Sequence, residues 1–144
     1  MKINTLNSLP TINITAAPNY LDTASITAIT NKTILLVAKS AGSGSNYVLT
    51  MGSDNNALIQ GFVAGKWEWY NTPRTQIADI NTSAYQVIKA SVGATATGVW
   101  RLGASTGGSN GWSGFVAEIL VYNSVLSAAL QAWITTYLRN KWGI

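Results

Sequence analysis

The sequence predicts an all-β protein, a two-sheet antiparallel jelly-roll sandwich with one α-helix at its C-terminal end. Up to Tyr122 the chain consists of short stretches rich in Ile, Leu, Val, Tyr and Trp, separated by Gly, Asn, Ser, Asp and Pro. About ten strands in series, joined by turns of that composition, favour a sandwich or a jelly roll. After Ser127 the apolar residues change to helical spacing. No linker or repeat interrupts the series, so we expect one domain over residues 1–144.

One strand and one hairpin are the clearest predictions for the sandwich. Residues 33–38 (TILLVA) are an unbroken apolar run, as expected of a strand covered on both sides. Residues 58–63 and 66–70 flank Ala64-Gly65 and predict a hairpin. The other predicted strands cover residues 9–15, 47–51, 76–80, 85–92, 99–102 and 115–122. Residues 93–98 are predicted as a turn, and residues 103–114 form the longest predicted loop.

The C-terminal segment predicts a helix over about residues 127–140. Ser127 is a suitable N-cap, and Gly143 can end the helix. Apolar residues follow at i, i+3, i+4, i+7 and i+8, which predicts one apolar face packed on the sandwich. These residues are Leu130, Trp133, Ile134, Tyr137 and Leu138.

The composition excludes several kinds of function. The chain has no Cys and no His, so it can form no Ser-His-Asp triad, no Cys-His pair, no disulfide and no ordinary zinc site. The nine basic residues are scattered, which predicts no nucleic-acid surface, and no apolar run is long enough for a membrane span. Residues 1–17 lack the apolar core of a signal peptide. We therefore expect a non-enzymatic protein without a cofactor or metal.

The end of the chain resembles a known family. The strand FVAEILVYN, a short turn and the segment SAALQAWITTYLRNKWGI are similar to the C-terminal signature of concanavalin A-like (laminin-G-like) sandwich domains. The resemblance implies a jelly-roll sandwich with a C-terminal helix, as found in bacterial surface proteins and phage virion proteins. It weakens at two points: calcium-binding acidic loops and closely spaced catalytic carboxylates are absent. The matching residues are Ala117, Glu118, Ile119, Val121, Tyr122, Tyr137, Leu138, Lys141, Trp142, Gly143 and Ile144.

The acidic residues predict no catalytic site. Glu68 and Glu118 are the only glutamates, and glycoside hydrolysis would require two carboxyl groups within about 5–9.5 Å of each other. No neighbouring motif supports such a pair, and the resemblance implies a structural role for Glu118. A calcium site at Asp54 would need six or more oxygen ligands.

A ligand site is predicted in the loops, where a sandwich presents polar side chains. Its residues are Asn46, Asp54, Asn55, Asn110 and Trp112. The alternative is that the four polar residues only form turns, and that Trp112 is an apolar plug beneath its loop. The other tryptophans are expected in the core or, for those of the helix, in the core or an interface.

Two classes of function follow. The first is a structural or adhesive surface protein, such as a capsid-decoration or tail/receptor-binding subunit of a phage virion, homo-oligomeric and in contact with other virion proteins or a host-surface glycan. The second is a carbohydrate-binding module of a secreted or cell-surface protein. The uncharged polar composition, with 10% charged residues, favours a virion surface or an extracellular location for either.

Overall fold

The computed structural model describes residues 2–15, 18–42, 44–71 and 73–144, with side chains from Thr5 onwards. This part of the chain contains thirteen strands and one helix. In chain order they are β1 (Lys2–Leu6), β2 (Leu9–Ile14), β3 (Leu21–Asp22), β4 (Ile26–Ile29), β5 (Lys32–Ser40), β6 (Asn46–Met51), β7 (Ala57–Gln60), β8 (Lys66–Tyr70), β9 (Thr75–Asp79), β10 (Gln86–Val92), β11 (Ala96–Gly98), β12 (Trp100–Leu102), β13 (Gly114–Tyr122) and α1 (Ala128–Trp142).

The strands form two antiparallel sheets that face each other. The five-stranded sheet has the order β1-β2-β13-β5-β10, and the six-stranded sheet has the order β3-β12-β6-β7-β8-β9. Strands β4 and β11 form a separate two-stranded ribbon. The predicted antiparallel sandwich with a C-terminal helix is confirmed, and so is the hairpin, which is β7 paired with β8. None of the helices in the described ranges is long and apolar enough to cross a bilayer.

Strand β5 shows why its sequence is an unbroken apolar run. Ile34, Leu36 and Ala38 point into the core between the sheets. Leu35 and Val37, which alternate with them, pack against the helix on the outer face. The strand is therefore buried on both sides, as predicted.

The helix docks through a narrower face than the sequence predicts. The Oγ of Ser127 accepts a hydrogen bond from the amide of Leu130, and Gly143 ends the helix at a φ of 67°, so both predicted caps are confirmed. The buried residues are Ile134, Leu138 and Trp142, four positions apart. The prediction that Leu130, Trp133 and Tyr137 share the packed face was wrong, because the buried stripe lies to one side of them and leaves all three exposed.

Glu118 joins the helix to the five-stranded sheet. A β-bulge in β13 between Val116 and Glu118 turns the Glu118 side chain towards the helix. Its carboxylate accepts hydrogen bonds from the Nζ of Lys141 at 2.9 and 3.0 Å and from the Nε1 of Trp142 at 2.7 Å. The hydrogen bond to Glu118 raises the pKa of Lys141. This network gives Glu118, Lys141 and Trp142 a shared structural role at the junction of helix and sheet.

Replacing Glu118 is expected to loosen the helix. Glu118→Ala removes the acceptor of the buried Trp142 indole, so we expect a loss of about 2–3 kcal/mol in the free energy of unfolding, measured by urea denaturation. Asp79→Ala is the matched control, since it breaks the Lys66–Asp79 pair, in which the aspartate side chain is 81% exposed. That exposed ion pair should contribute little to the free energy of unfolding. Equal effects of the two substitutions would contradict the docking role of Glu118.

Lys32 is a buried cation at the start of β5. It is 0% exposed and donates a hydrogen bond to the carbonyl oxygen of Ala94. Its ammonium group lies 5.8 Å from the ring centroid of Trp69. Burial lowers the pKa of Lys32 below its usual value of 10.5. Folding therefore disfavours the charged form of this lysine.

The lowered pKa of Lys32 predicts that the difference in stability between the wild-type protein and Lys32→Met depends on pH. The unfolded chain holds this proton up to a pKa of 10.5, whereas the folded chain loses it at a lower pH. Between the two values the unfolded chain binds more protons, so the stability of the wild-type protein should rise with pH relative to Lys32→Met. Urea denaturation of both proteins between neutral pH and about pH 10 measures the difference. A difference that stays constant with pH would show that Lys32 is not desolvated.

Candidate binding surfaces

The five residues of the predicted ligand site do not form one group. Asn46 begins β6, and Asn110 lies beside it, because the carbonyl oxygen of Asn110 accepts a hydrogen bond from the amide of Tyr47 at 3.2 Å. Asp54 and Asn55 follow the other end of the same strand. Asn110 has a φ of 49°, a left-handed conformation that Asn tolerates well, which fits its turn-forming alternative.

Trp112 is the clearest correction to the predicted site. Its side chain is 0% exposed, and its Nε1 donates a hydrogen bond to the Oε1 of Gln60 at 2.6 Å. The ring packs in the core at 6.4 Å from the ring of Trp67. Neither face of Trp112 is therefore open to a sugar, and the residue is the plug that the alternative describes.

Asp54 fixes the long loop between β12 and β13. One of its carboxylate oxygens accepts hydrogen bonds from the amide and the hydroxyl of Thr106, both at 2.6 Å. From the other side, the guanidinium of Arg101 donates to the carbonyl oxygens of Ser105 and Thr106 at 3.2 and 2.6 Å. The loop is therefore held in one arrangement, and Asp54 is a loop-positioning residue in this structure.

Two arginines cover the aromatic rings near these loops. Arg101 makes a bidentate ion pair with Asp22, with both contacts at 2.7 Å, and lies 4.0 Å from the ring centroid of Tyr20. The hydrogen bond from Arg101 lowers the pKa of Asp22. Arg74 lies over the rings of Phe62 and Tyr70 at 4.5 and 4.6 Å. The ring faces beneath these guanidinium groups are occupied within the chain itself.

The two glutamates lie on opposite sides of the molecule. Trp67 and Trp69 of β8 point into the core, so Glu68 between them points to the outer face of the six-stranded sheet. There it is buried and accepts a hydrogen bond from the amide of Val63 at 2.8 Å. Glu118 lies under the helix on the outer face of the other sheet. The two carboxylates are therefore not a catalytic pair.

The helix carries the most exposed aromatic surface of the described residues, which we call the aromatic ridge: Leu130, Trp133 and Tyr137. Trp133 is 64% exposed and Tyr137 is 47% exposed. Their ring centroids are 6.1 Å apart and their planes differ by 11°. The other five tryptophans are buried. The sequence did not predict the ridge. Its residues have the same helical spacing as the buried residues and lie next to them on the helix, so they were assigned to the packed face.

Comparisons with known proteins support the fold class. The architecture is a jelly-roll β-sandwich with a docked C-terminal helix. It is similar to a solved structure described as the native heptameric SAP-like pentraxin from Limulus polyphemus, with a TM-score of 0.55 and 13% sequence identity, over 75% of this chain and 71% of that one. That likeness shows a shared fold. No family model matches the sequence, and no curated protein matches it.

Proposed function

We propose that this protein is a non-enzymatic adhesive module that binds saccharides through the aromatic ridge. The observation that carries the proposal is the exposure of Trp133 beside Tyr137, whose nearly parallel rings are open to solvent, with the ammonium group of Lys141 5.9 Å from the Tyr137 ring centroid. The apolar C–H face of a pyranose packs on such rings. Thr136 and Asn140 are exposed and lie three positions after Trp133 and Tyr137, within reach of sugar hydroxyl groups.

The distribution of acidic and basic groups supports binding over catalysis. The sequence contains no imidazole or thiol, and its two glutamates are separated by the whole sandwich. A hydrolase of the two-carboxylate type requires two carboxyl groups that flank the scissile bond within about 10 Å of each other. Contact with a ligand requires only a rigid surface, which the docked helix provides.

Glycan-array binding tests the proposal. We expect the wild-type protein to bind a subset of neutral glycans and Trp133→Ala to lose those signals. Val125→Ala is the matched control, because Val125 is also apolar and 57% exposed but lies outside the ridge. Binding to neutral glycans that survives in Trp133→Ala, or the absence of any neutral-glycan binding by the wild-type protein, would contradict the proposal.

A second proposal is that copies of the chain assemble at an apolar recess beside β3 and β12. The recess has a volume of about 290 Å³, and its wall is almost wholly apolar. Leu21, at its rim, is 37% exposed, and Trp100 and Leu102 lie inside it. An apolar recess of this kind suits a side chain from a second copy. The similar pentraxin structure is described as a heptamer, which is a property of that protein.

Assembly fits the proposed location on a virion surface, or on a cell surface or outside the cell as the alternative. Multi-angle light scattering should give a mass of several chains, and mass spectrometry of purified phage particles should detect the polypeptide. A monomer would contradict the assembly proposal. Absence from the particles would contradict the virion location and leave the extracellular alternative.

A further inference from the structure

A cleft opens between the two sheets where their last strands lie side by side without pairing. Strand β9 ends the six-stranded sheet and β10 ends the five-stranded sheet. The cleft between them has a volume of about 460 Å³, within the range of roughly 300–1,000 Å³ that is usual for ligand sites. Its lining includes Trp69, Gln76, Lys89 and Ser91. The aromatic ridge is not part of this lining, so the cleft is a separate site.

Behind this cleft lies a buried positive charge that has no counter-ion among the described residues. Lys32 is fully buried, with its ammonium group 5.8 Å from the ring of Trp69, and Trp69 is part of the cleft wall. Its strand partner Val92 also lines the cleft. All five acidic residues of the chain are engaged elsewhere: Asp22 with Arg101, Asp54 with Thr106, Glu68 with Val63, Asp79 with Lys66 and Glu118 with Lys141.

Trp69, which lines the cleft, carries a buried hydrogen-bond donor without an acceptor among the described residues. Trp69 is 3% exposed, and its Nε1 has no hydrogen-bond partner in the part of the chain that the structure describes. Lys89 adds an exposed cation to the lining. No Asp or Glu is found among the described lining residues. The cleft is therefore surrounded by two cations and one donor without an acceptor, an arrangement that favours an anionic ligand.

We propose that the cleft between β9 and β10 binds a carboxylate-bearing saccharide, such as a uronic acid residue. The exposed ammonium group of Lys89 contacts the carboxylate directly. The buried charge of Lys32 and the indole N–H dipole of Trp69 stabilise the carboxylate through the low-dielectric wall without contact. The anion in turn compensates the charge that the fold leaves unpaired. The inference goes beyond the saccharide-binding proposal, because it assigns a second surface and an acidic class of sugar.

Calorimetric titration with two matched probes, a galacturonate trisaccharide and the neutral galactose trisaccharide, tests this inference. We expect the acidic probe to bind at least about fivefold more tightly and to weaken as NaCl is raised. Lys89→Gln and Lys32→Met should each reduce affinity for the acidic probe threefold or more, while Lys39→Gln, on the five-stranded sheet outside the cleft lining, should leave it unchanged. Lys32→Met replaces a buried charge with an apolar chain, so folding should be retained.

The inference fails if the two probes bind equally, if neither binds, or if Lys89→Gln binds the acidic probe as the wild-type protein does. The ridge proposal is tested apart from it, because Trp133→Ala should leave the preference for the acidic probe intact. Loss of that preference in Trp133→Ala would place the anion on the helix and overturn the cleft assignment.

Discussion

Trp112→Ala is expected to lower the free energy of unfolding by about 3–5 kcal/mol, the usual cost of removing a large buried aromatic ring. The ring is fully buried in the core, so its removal leaves a cavity beneath the loop between β12 and β13. It also leaves the Oε1 of Gln60 without the indole donor that now lies 2.6 Å away, which adds the cost of an unsatisfied buried acceptor. Urea denaturation measures the loss.

Two further variants test the hydrogen bond and the packing of this ring. Trp112→Phe keeps most of the ring but removes the N–H, so it should cost less than Trp112→Ala. Gly114→Ala should be severely destabilising, because a Cβ at Gly114 would lie 2.3 Å from the ring of Trp112 and 2.6 Å from the carbonyl oxygen of Lys39. A Trp112→Ala protein as stable as the wild type would contradict the role of this ring as a core plug.

The double variant Trp133→Ala/Tyr137→Ala is expected to lose saccharide affinity while keeping its stability, unlike Trp112→Ala. Each aromatic contact contributes about 0.5–1.5 kcal/mol beyond burial, so losing both rings should weaken saccharide binding between about fivefold and about 150-fold. Stability should change by less than about 1 kcal/mol, because both side chains are exposed on the helix. Calorimetric titration with the best glycan of the array measures the first effect, and urea denaturation measures the second. Unchanged affinity, or unfolding of the double variant, would contradict the ridge as a binding surface.

Much of the fold could be predicted because local sequence and tertiary packing agree. The run in β5 is apolar on both faces because the core covers one side and the helix covers the other. The hairpin of β7 and β8 and the caps at Ser127 and Gly143 depend on neighbouring residues alone. The strands β1, β3, β4 and β11 were missed. Strands β3 and β11 have only two and three residues, too few to show a period, and β11 lies within residues 93–98, which were predicted as a turn.

The candidate sites were less predictable because they depend on distant parts of the chain. The burial of Trp112 depends on Gln60, which lies on another strand. The exposure of Trp133 and Tyr137 depends on the rotation of the helix, which Glu118 fixes through Lys141 and Trp142. Helical spacing alone cannot distinguish a packed stripe from the residues beside it. The cleft lined by Trp69 lies between strands of two different sheets, so no local stretch of sequence indicates it.

The most direct test follows the indole N–H signals of the six tryptophans by ¹⁵N–¹H NMR while a neutral saccharide from the array is added. Ridge binding predicts that the Trp133 signal shifts with saturation, because Trp133 is the exposed indole, while the signals of the five buried tryptophans change little. Assignment comes from the loss of one signal in each Trp→Phe variant. A Trp133 signal that stays in place while the saccharide binds would contradict the proposed function.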